Sequence, residues 1–168
     1  LSTMMIPITV RLIPSYNLCR NLNMLDTYMG MILPQVAWSI PFGTFLMRQF
    51  YMGIPKQLDE AAKIDGANHF QIFWKILLPN TKSSMATLGI YTFISAWNNL
   101  IWMLLSVRSE SKWTVTLGIS SICGASVIKQ PTWNLIMGVI VIGMIPVLIL
   151  FFAFQKYFMQ SVAATGIK

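Results

Sequence analysis

Apolar residues fall into three long uncharged runs, near 28 to 47, 85 to 107 and 133 to 154, separated by stretches where charge, proline and glycine gather. Each run is long enough to cross a bilayer as a helix, because about 20 residues at about 1.5 Å each span about 30 Å of hydrocarbon. The last, Trp133 through Phe154, is almost purely Leu, Ile, Val, Met and Phe around Pro146. The first contains Pro34, Pro41, Gly30 and Gly43, so it is expected to kink where neighbouring helices satisfy the freed carbonyls. The middle run carries Ser95, Asn98 and Asn99 near its centre, and such residues turn toward other helices or a pathway, away from lipid. Residues 1 to 18 form a weaker apolar stretch, interrupted by Pro7, Arg11 and Pro14, and read as the outer part of a further span. The segment 108 to 132 is mixed, with Arg108, Lys112 and Lys129 around the mild apolar run Thr114 to Val127, and predicts an extramembrane loop with one short helix lying near the interface.

Between the first two runs the pattern changes to that of two short amphipathic helices. Pro55 suits a first helical position, Asp59 and Lys63 are spaced as an i,i+4 pair, and Gly66 is placed to end the helix in the left-handed conformation. Asn68 then caps a second helix, Gln71 completes a capping box, and Pro79 marks its end. Leu58, Ala61, Ala62 and Asp65 share one face of the first helix, where the two alanines leave room for close approach. Phe70, Phe73, Trp74 and Leu77 make an i, i+3, i+4, i+7 stripe on the second, with Ile72 and Ile76 beside it. This much apolar surface on an elbow of about 25 residues calls for a partner surface, or else for packing on its own spans.

Composition sharpens the class. Of 168 residues, 55% are hydrophobic and only 10% charged, which excludes both an ordinary soluble globule and a disordered chain. The net charge of +7 would suggest nucleic acid on a soluble protein, but on so apolar a chain it fits membrane topology and no nucleic-acid partner is expected. Five bases and three acids lie between Arg48 and Lys82, so this loop is expected in the cytoplasm; two further crossings put Lys156 and Lys168 of the C-terminal tail there too. The charge bias is not decisive by itself, since Arg108, Lys112 and Lys129 fall on the other side. Cys19, Cys123 and the single His69 can build neither a disulfide framework nor a metal site. The sequence starts at Leu1 with no basic leader, and an N-terminally incomplete chain is expected.

Five fixed elements at fixed spacings then carry a resemblance. Glu60-Ala61-Ala62, three residues, Gly66, nine residues, Ile76, one residue and Leu78-Pro79 resemble the EAA loop of the membrane-spanning permeases of binding-protein-dependent ABC importers. Ile54-Pro55-Lys56, Ser95-Ala96-Trp97-Asn98, and Phe154-Gln155-Lys156-Tyr157-Phe158 before a tail ending Thr165-Gly166-Ile167-Lys168 extend the likeness to the carbohydrate-uptake, maltose-permease-like branch. The resemblance implies an all-α polytopic bundle in the cell (inner) membrane, occupying 1 to 168 as one partial transmembrane domain whose first two spans and part of the third are missing. It also implies that 48 to 82 is a cytoplasmic coupling loop seated in a cleft of a separate ATPase subunit. Carried over, Glu60, Ala61, Ala62 and Gly66 are the coupling elements, with Phe70, Phe73 and Trp74 anchoring the elbow. Implied partners are an ATPase dimer, a second permease subunit, an extracytoplasmic solute-binding protein and membrane lipid. The position after Trp97-Asn98 is often acidic in the family but is Asn99 here.

No G-x-x-x-x-G-K-[ST] occurs, so the chain builds no P-loop; ATP is expected to be bound and hydrolysed by a partner, with no cofactor and no catalytic role here. Tyr91, Ser95, Trp97, Asn98 and Asn99 combine aromatic faces with amides as a sugar path requires, although the same groups could simply hold helices together. Glycerol phosphate esters are the alternative cargo and call for bases facing the path; none of the clear spans contains one, which favours a neutral solute. An intramembrane enzyme is the alternative of another class. It needs an ionisable or nucleophilic constellation at membrane depth, where the complete spans offer only amides, hydroxyls and aromatics.

Overall fold

A computed structural model describes residues 2–129 and 133–165, with side chains described for 2–124 and 133–155. Lys168 and the Gly166-Ile167 pair of the tail motif lie outside the described residues. The described chain is helical throughout, as the all-α expectation requires: a 3-10 turn (Ser2–Met5), α1 (Ile8–Asn21), α2 (Tyr28–Met52), α3 (Lys56–Ile64), α4 (His69–Ile72), a π turn (Phe73–Leu77), α5 (Leu78–Asn80), α6 (Lys82–Trp97), α7 (Leu100–Ser106), a 3-10 turn (Glu110–Lys112), α8 (Val115–Lys129) and α9 (Trp133–Thr165). Among the described residues, α2 and Trp133–Gln155 of α9 are long and apolar enough to cross a membrane, and α6 with α7 meets the same measure when the bent pair is taken together.

α2 passes through both prolines without interruption. Pro34 has no N–H to give to the carbonyl of Gly30. The indole Nε1 of Trp102 donates to that carbonyl instead, at 3.1 Å, so a neighbouring helix satisfies it as the sequence pattern anticipates. Trp102 is fully buried and meets Trp38 edge-on at 5.1 Å. Around it Leu12, Cys19, Met31, Met103, Val107 and Leu117 form the core, where α1, α2, α7 and α8 converge. Gly30 is required here, since a Cβ would sit 2.0 Å from the carbonyl oxygen of Met24.

The middle run departs from the expected continuous helix. It breaks at Asn98 and Asn99, and α6 and α7 diverge by 53°. Asn99, at φ −79° and ψ 75°, is the centre of an inverse γ-turn, with Leu100 N donating to the Asn98 carbonyl at 2.9 Å. Its side chain accepts from Trp102 N at 3.3 Å and so caps α7, while its amide donates to Gln35 Oε1 at 3.1 Å and ties the break to α2. The weak N-terminal stretch is a full helix through Asn21, past the expected limit near 18, and it holds Pro14 in its interior.

At the end of α2 remote from the elbow, Asp26 makes a clasp between two loops. Its carboxylate accepts from the backbone N–H of Arg108 and of Ser109, each at 3.0 Å, and from the Ser109 hydroxyl. Lys112 Nζ donates to the Asp26 carbonyl and lies 3.4 Å from its carboxylate. The Ser109 hydroxyl first, then the two backbone N–H groups and Lys112, hold the Asp26 carboxyl far below the usual carboxylate range. The geometry thus makes Asp26 a structural acceptor.

Candidate functional site: the elbow and the membrane cavity

Pro55 stands just before α3 and not inside it, and the first arm closes through local chemistry. Lys63 pairs with Asp59 at 2.6 Å on an exposed face. Gly66 adopts φ +80°, its N–H donating to the Lys63 carbonyl at 3.0 Å and that of Ala67 to the Ala62 carbonyl at 2.9 Å, a Schellman arrangement that consumes the last free carbonyls of α3. Two residues later Asn68 Oδ1 accepts from Gln71 N and Gln71 Oε1 from Asn68 N, both at 2.9 Å, completing the expected capping box.

The second arm is not a plain α-helix up to Pro79. Residues Phe73–Leu77 widen into a π turn in which Leu78 N donates to the Phe73 carbonyl. Pro79 cannot donate to the carbonyl four residues back and its ring crowds it, so widening the preceding turn relieves the conflict. The arm ends at Asn80, and the buried Thr81 hydroxyl donates to the carbonyls of Leu77 and Leu78.

The apolar residues of the elbow divide by exposure. Ala62 (7%) and Ile72 (2%) turn inward, whereas Ala61 is exposed, as are Ile64 (86%), Phe70 (75%) and Trp74 (55%). Phe73 is partly covered, 6.2 Å from Tyr51 at the end of α2 and 5.7 Å from Trp74. The inward anchors of the second arm are therefore Ile72 and Phe73. Phe70 and Trp74 face outward with Ile64, and Glu60 is exposed beside them. The two alanines expected to share one approach surface are split, one facing inward and one outward.

A cavity of about 500 Å³ opens between α1, α2 and α6. Tyr91, Ser95, Asn98 and Asn99 line it as expected for a path, with Phe42 and Tyr91 in contact across α2 and α6 at 4.3 Å. Trp97 does not: it stacks on Phe93 at 5.6 Å and its carbonyl accepts from the Thr116 hydroxyl. Arg11, Gln35, Trp38 and Ser39 also line it, among apolar neighbours, and the sequence reading missed all four. Their signal was present as polar spacing: Gln35, Trp38, Ser39 and Phe42 repeat at i, i+3, i+4, i+7 on an otherwise apolar helix. Arg11 brings a base to this cavity from α1, outside the clear spans in which none was found.

The family described as binding-protein-dependent transport system inner membrane component matches residues 2–164. The chain belongs to this family. Among curated permeases it is 39% identical over 160 residues to the sn-glycerol-3-phosphate transport system permease protein UgpE of Yersinia enterocolitica, covering 95% of this chain and 56% of that one. It is 32% identical over 165 residues to the arabinooligosaccharides transport system permease protein AraQ of Bacillus subtilis, covering 98% and 57%. A crystal structure of a bacterial ABC transporter involved in the import of the acidic polysaccharide alginate aligns with a TM-score of 0.70 at 30% identity, over 87% of this chain and 55% of that one. The chain thus spans about half the length of the permeases it matches. The sequence resemblance to the carbohydrate-uptake branch holds, and this permease is a membrane component of a transport family.

Proposed function

We propose that this chain forms part of one half of the translocation pathway of an ATP-driven importer of a sugar or sugar-like solute, without catalysing a reaction itself. Coupling passes through the loop 48 to 82: Glu60, Ala61, Ala62 and Gly66 set the elbow's shape, and the outward surface of Ile64, Phe70 and Trp74 docks on a separate ATPase subunit. A second permease completes the pathway, an extracytoplasmic binding protein delivers the solute, and the elbow and the C-terminus face the cytoplasm. The observation that carries this reading is the elbow itself. Its backbone is closed by a Schellman turn and a capping box, so it can transmit displacement, yet it leaves large apolar side chains uncovered within the described residues.

Ala61→Cys in the full-length protein provides the test. Its exposed position predicts a crosslink to the ATPase subunit, labelling by an impermeant maleimide only from the cytoplasmic face, and a reporter after Lys168 reading that same face. Ala62→Cys, turned inward, should crosslink far less. Equal labelling from both faces, or crosslinking at Ala62 but not Ala61, would reject the docking geometry.

A further inference from the structure

We infer that Arg11 receives a negatively charged group of the transported solute, a phosphate or a carboxylate, inside the cavity between α1, α2 and α6. The inference rests on the permease reading above and specifies its cargo. Arg11 lies ten residues from the end of α1 at Asn21, and Trp38 ten residues from the start of α2 at Tyr28. Trp38, about 15 Å along the candidate span α2 at about 1.5 Å per residue, falls near the middle of a bilayer core of about 30 Å, and the Arg11 guanidinium stands 5.9 Å from its ring. A guanidinium at that depth is costly unless something answers its charge.

Among the described residues nothing does. The ion pairs there are Lys63 with Asp59 and Lys112 with Asp26, and no carboxylate lines the cavity. Arg11 Nε is buried without a hydrogen-bond partner. Its one compensating contact is the face of Trp38, 5.9 Å from the guanidinium carbon, which orients the group but takes none of its N–H donors. A planar fork of donors held against an aromatic wall is suited to an oxyanion. Around it Ser95 and Asn98 present neutral groups fit for hydroxyls, and Gln35, Ser39 and Asn99 line the same wall with part of their hydrogen-bonding capacity already used within the protein. The cavity therefore reads as one anionic contact beside a polyol-binding wall, in a volume suited to a small sugar derivative.

The test uses the full-length permease assembled with its partner permease, ATPase and solute-binding protein in proteoliposomes. Three probes are offered: sn-glycerol 3-phosphate, an alginate trisaccharide and a neutral arabinotriose. Wild type should take up at least one anionic probe, and which one identifies phosphate or carboxylate as the recognised group. Arg11→Gln should lower that uptake by about tenfold, through KM more than through turnover, with Arg11→Lys intermediate. Membrane abundance should remain at wild-type levels in both variants, and uptake of any neutral probe that the wild type carries should fall less than anion uptake. Anion uptake within about twofold of wild type in Arg11→Gln, equal loss of all probes with falling abundance, or a wild type that carries only arabinotriose would each overturn the inference while leaving the permease reading intact. A wild-type assembly that neither responds to the binding protein nor imports any probe would overturn both.

Discussion

Gly66 shows how much one backbone angle can decide. Its φ of +80° is the left-handed conformation, and nothing lies within 4 Å of the place a Cβ would occupy. Any penalty on substitution is therefore one of backbone and not of crowding, about 1–2 kcal/mol for a β-branched residue. Gly66→Val should relieve that strain by swinging the second arm, moving Phe73 off Tyr51 while the spans remain inserted. Uptake and membrane abundance of the full-length variant, measured together, check this: transport falls steeply and abundance is kept. Gly66→Asn, which tolerates the left-handed region, should retain most of the transport. If Val and Asn behave alike, the turn is not what matters.

The broken span makes the corresponding case for an entire helix. Asn99 closes the γ-turn, caps α7 and reaches Gln35, so Asn99→Ala removes a cap and an interhelical hydrogen bond together. The expected cost is about 1–2 kcal/mol, read as a lower midpoint of thermal unfolding in detergent. Asn99→Asp keeps the cap on α7 but sets a carboxylate against Gln35 Oε1, whose amide is held by the Met31 carbonyl, so it should recover only part of the loss; a drop equal to that of alanine would contradict the capping role. Sequence periodicity found this span but not its break, since an apolar run looks the same whether the helix inside it is straight or bent. The elbow was legible almost residue by residue because Gly66, Asn68 and Gln71 act on neighbours within three positions. The second arm was legible only as far as Phe73. The π turn follows from a steric conflict at Pro79, and the burial of Ile72 in place of Phe70 depends on where α2 ends. Arg11 was invisible as a path residue for the same reason: its meaning arises only when α1 is laid against α2 and α6.

For the molecule entire, the clasp at Asp26 joins what the chain order separates. Because its carboxyl is held well below the ordinary value of about 3.9, the clasp contributes fully above that value and is lost only as pH falls through the depressed one. Amide exchange in the loop 107 to 113, corrected for intrinsic rate, should stay slow and level from pH 8 to pH 5 and accelerate only in stronger acid. Asp26→Asn, lacking the charge that Ser109 and Lys112 answer, should exchange faster across the whole range. An exchange step near pH 4 in the unsubstituted protein would show the carboxyl to be ordinary.

α2 is held beside its Tyr28 end by this clasp and along its first half by Trp102 and Asn99, and near its Met52 end Tyr51 meets Phe73 of the second arm. Twenty-five residues make a beam of about 37 Å. Under the proposed coupling, a displacement of the elbow reaches Trp38, about 15 Å from the clasp, only in part. On that reading the wall where Trp38 meets Arg11 moves less than the elbow does, so the cavity changes shape in small steps.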